Sequence, residues 1–271
     1  MIRPTVAVIG VGAMGGALVS GLLDAGWDPT ELTLVEQRAD RLAELMEEIG
    51  CAGATDPGDV VGHQDVVVLA VKPQGVHEAL DALRGRLDAA QVVVALVAGV
   101  PLSVYEAALG DVPVIRTMPN TPALIREGVT GIAPGAHATD MHVDRARSVL
   151  SAVGRVELVE ESQIDAVTAI SGSGPAYVFL LAESLVAAAL EQGLSPETAD
   201  GLVRQLLKGA GALLAQSEMT PEQLRVQVTS PGGTTAAALA RFEEGGFRQL
   251  VADAVAAAAA RSRELGDAAS A

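Results

Sequence analysis

Aromatic side chains are almost missing from this chain. Phe, Trp and Tyr together make up 2% of its 271 residues, although apolar residues reach 49%. Any core must therefore be packed by Ala, Val and Leu. Small side chains let helices approach closely, which suits a helical half with a large intersubunit surface. Positive charge is scarce too: 18 basic residues stand against 34 acidic ones, for a net charge of −16. A nucleic-acid partner is not expected, because phosphate neutralisation needs clustered Lys and Arg. An anionic ligand would have to be met by backbone N–H groups or a few placed cations. Solubility is the plain reading of the charge itself.

Cysteine is reduced to Cys51 alone, which excludes an intrachain disulfide. That fits a reducing cytosol, and a lone Cys is more often a packing residue than a nucleophile. The four histidines, His63, His77, His137 and His142, have no metal-ligand spacing and read as solvated surface residues. No metal site is expected. Residues 251–260 form the most apolar late stretch, but it contains Asp253 and runs into Arg261 and Arg263. It is too short and too charged to span a bilayer. The first strand begins by Thr5, leaving no room for a signal peptide, so a cytoplasmic protein without membrane contact is expected.

What is present is rhythm. Apolar, β-branched runs at 5–9, 32–36, 65–71, 91–97 and 112–116 read as strands buried on both faces. Helical spacing at 14–25 and 40–49 falls between them. Further strands at 128–133 and 154–159 flank a helix at 138–151. This alternation predicts a doubly wound α/β sheet. After residue 162 the pattern becomes all-α: Ala- and Leu-rich stretches at 174–193, 196–217 and 234–265, broken near Gly193, Pro221 and Gly245-Gly246. The expected division is an N-terminal Rossmann-like domain, 1–160, and a helical domain, 161–271.

Between the first strand and first helix lies Gly10-Val11-Gly12-Ala13-Met14-Gly15. The glycine spacing alone is a weak signal; its strand–turn–helix context makes it a strong one. Gly10 permits the tight turn, Gly12 admits a pyrophosphate to the backbone, and Gly15 lets the helix pack on the strand. Ala13 and Met14 open the helix whose N-terminus favours an anion. Glu36, at the end of the second strand, is placed to bind the ribose hydroxyls of NADH and to repel a 2′-phosphate. Arg38 is placed to clamp that phosphate in NADPH. Both cofactors remain open. Ala70-Val71-Lys72-Pro73, Ala98 and Asn120 follow later strands, on the edge where ligands of open α/β sheets bind. Strand capping for Lys72 and a Pro-Asn turn for Asn120 are the plain alternatives.

Late in the chain, Ser230-Pro231-Gly232-Gly233-Thr234-Thr235 precedes a helix. Two glycines expose N–H groups there and two threonines add hydroxyls, a cradle for a small anion. The alternative is a helix N-cap with a Pro-Gly turn, which accounts for Thr234 but requires neither both glycines nor both threonines.

With the nucleotide turn, Ala70–Pro73, Met118-Pro119-Asn120-Thr121-Pro122, Ser171-Gly172-Ser173-Gly174-Pro175-Ala176-Tyr177 and the 230–235 turn in this order, the chain resembles pyrroline-5-carboxylate reductases over nearly its full length. The resemblance implies NAD(P)H-dependent reduction of 1-pyrroline-5-carboxylate to L-proline, the last step of proline biosynthesis. It implies a helical domain that dimerises by interleaving, a cleft completed by the partner subunit, and often a ring of dimers. By the same resemblance, Gly232, Gly233, Thr234 and Thr235 bind the substrate carboxylate and Glu218 touches the substrate. Ser173 and Gly174 lie beside the reacting ring in a loop that enters a long helix, and Thr168 hydrogen-bonds the ring nitrogen.

Three other readings compete. A β-hydroxyacid dehydrogenase would carry a catalytic Lys on the helix after a glycine-serine loop, and residues 174–193 contain none. A reductase of another small imine is the nearer rival. A non-catalytic NAD(P)H-binding redox sensor would need no carboxylate cradle.

Overall fold

The computed structural model describes residues 3–59 and 61–270. Its first half alternates strand and helix: β1 (Val6–Ile9), α1 (Ala13–Asp24), β2 (Leu32–Val35), α2 (Ala39–Ile49), β3 (Ala52–Ala54), β4 (Val66–Leu69), α3 (Val76–Leu83), β5 (Val92–Ala95), α4 (Leu102–Leu109) and β6 (Val114–Met118). Then come β7 (Gly128–Pro134), α5 (Asp140–Leu150), β8 (Gly154–Leu158) and α6 (Ile164–Val167). The remainder is helical: α7 (Gly174–Glu191), α8 (Pro196–Gln216), α9 (Pro221–Gln227), α10 (Thr234–Glu244) and α11 (Phe247–Ser270).

The strands form one sheet in the order β3-β2-β1-β4-β5-β6-β7-β8, parallel except where β7 runs antiparallel to β6. Strand residues alternate between two cores. Val6, Val8, Val66, Val68, Val92 and Val94 pack against Leu18, Leu22, Leu42, Leu45 and Val149 of α1, α2 and α5. Ala7, Ile9, Val67, Leu69, Val93 and Ala95 pack against Val76, Leu80, Leu83, Leu102 and Tyr105 of α3 and α4. Burial on both faces explains why these strands read as continuous Val-rich runs. Each buried Val contributes roughly 1.5–3 kcal/mol of hydrophobic stabilisation.

The strand ends are level, since Ile9 pairs with Val35 and Leu69, and Leu69 with Ala95. Gly10, Glu36, Ala70 and Leu96 therefore emerge along one edge. The strand order reverses between β1 and β4, so that edge opens at the Gly10 and Ala70 turns, the place where doubly wound sheets bind ligands.

Two compact units divide the chain: residues 3–173 with 258–270, and residues 174–257. The first unit thus continues past residue 160 through α6 and takes back the end of α11, where Ala269 packs against the α3–α4 core. In the second unit α7 packs on α8, and Ala199 and Val203 are buried. Ser195 and Thr220 cap α8 and α9 through the N–H groups of Thr198 and Gln223, each followed by Pro at the first helical position. Much of this unit's apolar surface is bare in the single chain, including Phe179 (66% exposed), Leu180 (63%) and Leu250 (65%).

Two expectations need correction. The segment from Ser171 is not a loop. α6 continues as a π turn over Thr168–Gly172, closed by Ser173 N–H donating to Thr168 O at 2.8 Å. The Thr168 and Ser171 hydroxyls donate to the carbonyls of Ile164 and Val167, taking up acceptors of the helical ladder. His142 is not a surface residue: it is buried, and its Nδ1 accepts the Thr139 N–H at the start of α5. Residues 251–260 do not qualify as a membrane span, as expected; among the described residues the helical run long and apolar enough by length and composition is Glu161–Glu191, which sequence reading did not single out.

Candidate active site

Beyond the level strand ends lies a cleft of about 840 Å³. Gly10, Gly12, Glu36, Arg38, Ala70, Val71 and Lys72 all line it, as the glycine turn and strand-end positions predict. The three glycines are needed for different reasons. Gly10 has φ +92°, and a Cβ there would sit 2.9 Å from Ala70 O. At Gly15 a Cβ would meet Gly10 O at 2.1 Å, so only glycine lets α1 start so close to β1. At Gly12 a Cβ would meet no protein atom within 4 Å. A side chain there would occupy the cleft in front of α1, whose N-cap is Gly12 and has no side-chain cap. Exposed backbone donors on a helix N-terminus suit a diphosphate. The residues present therefore fit a dinucleotide.

Ala13 and Met14 form the first turn of α1, and Met14 leans on the core. Pro73 starts a short 3₁₀ turn after Lys72. Neither these three residues nor Gly15, Ala98 and Asn120 line the cleft itself. Ala98 is exposed after β5, beside Gly99 at φ +77°. Asn120 acts as a brace: its Nδ2 donates to Ser171 O at 3.1 Å and its Oδ1 accepts the Val129 N–H at 2.9 Å. Sequence reasoning missed Gln37, Thr55, Asp56, Pro57, Gln74, Gly75 and Glu78 in the lining. Thr55–Pro57 follow β3, a three-residue strand without a β-branched side chain, so no strand pattern pointed to them.

In the first unit Thr168 sits half-buried in the π turn, its hydroxyl donating to Ile164 O at 2.8 Å. The oxygen lone pairs remain to accept a hydrogen bond. Ser173 closes the turn, and an added Cβ at Gly172 would lie 2.5 Å from Met118 Cε. Nearby, Glu161 Oε1 accepts both the Leu102 N–H and Arg116 Nη1, the latter at 3.1 Å. That pair fastens the approach to α6 onto β6 and α4.

In the second unit Gly174 begins α7, and Glu218 is exposed in the turn between α8 and α9. Gly232 has φ +71° and Gly233 is the N-cap of α10. Thr234 is the first helical residue rather than the cap, and α10 has no side-chain cap. The simple capping explanation for Thr234 therefore falls away: Gly233 N–H closes the turn by donating to Ser230 O at 3.0 Å, and the first N–H groups of α10 have no acceptor within the helix.

A Rossmann sheet with a glycine-turn cleft, followed by an all-helical unit, defines a dinucleotide-dependent oxidoreductase. A family model for NADP oxidoreductases, coenzyme F420-dependent, matches residues 5–99, and one for pyrroline-5-carboxylate reductase dimerisation matches 161–265. The pyrroline-5-carboxylate reductase of Pseudomonas aeruginosa is 42% identical over 98% of each chain. Among solved structures, the Coxiella burnetii pyrroline-5-carboxylate reductase is 37% identical, with a TM-score of 0.94 over 97% of this chain and 99% of that one. The Plasmodium falciparum pyrroline carboxylate reductase, solved with NADP bound, is 28% identical, with a TM-score of 0.83 over 98% and 99%. The chain belongs to the pyrroline-5-carboxylate reductase family.

Proposed function

We propose that this protein reduces 1-pyrroline-5-carboxylate to L-proline with NADH or NADPH, in the biosynthetic direction. The observation that carries this is the pairing, in one chain of this family, of the cleft at the Gly10–Gly12 turn with a Gly232-Gly233 turn that opens a helix lacking a side-chain cap. When bound, the reduced nicotinamide supplies a hydride for the C=N carbon. Gly10, Gly12 and the start of α1 hold its diphosphate, while Glu36, Arg38 and Lys72 line its path. The Gly232-Gly233 turn, with the N–H groups and hydroxyls of Thr234 and Thr235 that open α10, holds the carboxylate, and Glu218 contacts the substrate.

Thr168 acts on the ring nitrogen. Its proton is committed to Ile164 O, so its oxygen is suited to accept from an N–H. A protonated imine offers such an N–H. The substrate then arrives already activated, and the chain supplies no proton before hydride transfer. Catalysis rests on positioning and fixed dipoles.

The bare apolar face of α7–α11 fits a homodimer, and a higher homo-oligomer of dimers. Dimerisation also covers the Glu161–Glu191 run without a membrane. A net charge of −16 speaks against nucleic acid, and the single buried Cys51 fits the cytosol. The test is absorbance at 340 nm with NADH or NADPH. Loss of absorbance only on adding pyrroline-5-carboxylate supports the reading. No loss with either cofactor would favour the redox-sensor alternative.

A further inference from the structure

α11 is one continuous helix, Phe247–Ser270, yet from residue 258 onward it belongs to the sheet unit. On that stretch Ser262 donates its hydroxyl to Asp165 Oδ1 at 2.6 Å, and both residues are half-buried. A helical serine ordinarily bonds back to the carbonyl four residues earlier, as Ser171 and Ser184 do here. Ser262 instead reaches across 97 positions to a carboxylate, at the length of a charge-assisted bond. Asp165 stands on α6 one helical turn before Thr168, beside Ile164, whose carbonyl takes the Thr168 hydroxyl. α6 has only 4 residues, too few to hold its place unaided. Glu161 ties its approach to α4 and β6, and Ser262 ties the helix itself.

The same end of α11 also meets the turn after β5. A Cβ built on Gly99 would lie 3.8 Å from Leu265 Cβ, and one built on Gly266 would lie 3.8 Å from Gly99 O. Ala269 then packs against the α3–α4 core. Ala98 and Gly99 follow β5 on the edge where the cleft opens. One helix end thus touches both the element that leads into the Thr168 turn and the edge that carries the cofactor cleft.

We propose that Ser262 is a positioning residue for the reduction: its bond to Asp165 holds α6, and with it the Thr168 oxygen, at a fixed place relative to the Ala98-Gly99 turn. This rests on the proposed function and adds a residue outside its binding turns. Hydride transfer is steep in geometry, and misplacement by about 1 Å can cost about a hundredfold in rate. Thr168 meets the imine through a single oxygen, so a small rotation of α6 takes that oxygen off line. Ser262 belongs to neither the Gly10–Gly12 turn nor the 230–235 turn. Loss of the tie therefore slows the chemical step and spares the binding of cofactor and carboxylate.

The test is stopped-flow absorbance at 340 nm in single turnovers, with full-length enzyme in excess over NADH or NADPH and saturating pyrroline-5-carboxylate. The rate constant, unlike the amplitude, does not depend on the folded fraction. Ser262→Ala should slow it about tenfold, the scale of one hydrogen bond to a charged group. Its KM for pyrroline-5-carboxylate should stay within about twofold of the wild type. Ser262→Thr keeps the hydroxyl and Asp165→Asn keeps an acceptor oxygen, so each should recover most of the rate. Ser262→Ala combined with Asp165→Ala should be no slower than the slower single variant. Without cofactor or imine, main-chain hydrogen exchange at residues 164–173 should quicken in Ser262→Ala and return in Ser262→Thr. A wild-type rate in Ser262→Ala, a loss that Ser262→Thr fails to restore, or unchanged exchange at 164–173 overturns the proposal. A wild type with no decay at all removes the proposed reaction and this inference together, an outcome visible before any variant is compared.

Discussion

Single residues decide whether the nucleotide turn can exist. Gly15 is the tightest case, since its missing Cβ would stand 2.1 Å from Gly10 O. The neighbour is backbone and cannot yield cheaply. Gly15→Ala should cost about 1–3 kcal/mol and weaken cofactor binding. Urea denaturation with a parallel cofactor titration checks both, and an unchanged midpoint would contradict the packing. His142 offers a pH-dependent counterpart. Burial lowers its pKa below the usual 6.5, and Arg145 adds a smaller effect in the same direction. A depressed pKa means the fold prefers neutral His142, whose Nδ1 accepts the Thr139 N–H. That stabilisation is present above about pH 6.5, the unfolded value, and is lost as pH falls through the lower folded value. Urea midpoints should therefore drop between pH 7.5 and 5 in the wild type, and less in His142→Gln, which keeps a capping side chain. Equal drops would remove His142 as the cause.

At the scale of elements, the sequence was most legible where burial is symmetric. The Val-rich strands, the glycine turn and Glu36 at the end of β2 could all be placed from pattern alone. Other elements hid for physical reasons. β3 is Ala-Gly-Ala, too short and too plain to stand out. α3 and α4 are eight residues each, shorter than a clear helical period needs. The π turn looked like a loop because Gly172, Ser171 and Ser173 are turn-forming residues. What keeps them helical is tertiary: hydroxyls bonded back along the chain, Met118 against Gly172, and the Asn120 brace. That brace joins the end of β6, the start of β7 and the π turn. Asn120→Ala strands the Val129 N–H and Ser171 O, so it should cost about 1–3 kcal/mol. It should also lower kcat by loosening the turn that carries Thr168. Hydrogen exchange localised to residues around 129 and 168–173 checks this; uniform protection would contradict it.

The molecule as a whole is built unevenly. The sheet unit buries its apolar residues on two faces, while the helical unit buries Ala199 and Val203 and leaves Phe179, Leu180 and Leu250 bare. A unit so poorly covered is expected to fold against a second copy, which makes its stability concentration-dependent. Phe179→Asp should shift the protein toward monomer in sedimentation experiments and lower its thermal midpoint. A monodisperse dimer of unchanged stability would place the interface elsewhere. Composition anticipated a small-residue helical surface, and the family likeness supplied dimerisation. Neither reveals which helical faces meet, because periodicity in an Ala-rich helix marks no single stripe.

The proposed reaction stands on a small anion held by main-chain donors at the start of α10. The most direct test compares kcat/KM for pyrroline-5-carboxylate and for 1-pyrroline, the same ring without its carboxylate, in the wild type and in Thr235→Ala. The wild type should prefer the acid by about a hundredfold or more, the scale of two or three charge-assisted hydrogen bonds. Thr235→Ala should erode that preference through KM while leaving 1-pyrroline turnover unchanged. Equal use of the two rings by the wild type, or equal losses on both in the variant, would contradict the assignment of the 230–235 turn to the substrate.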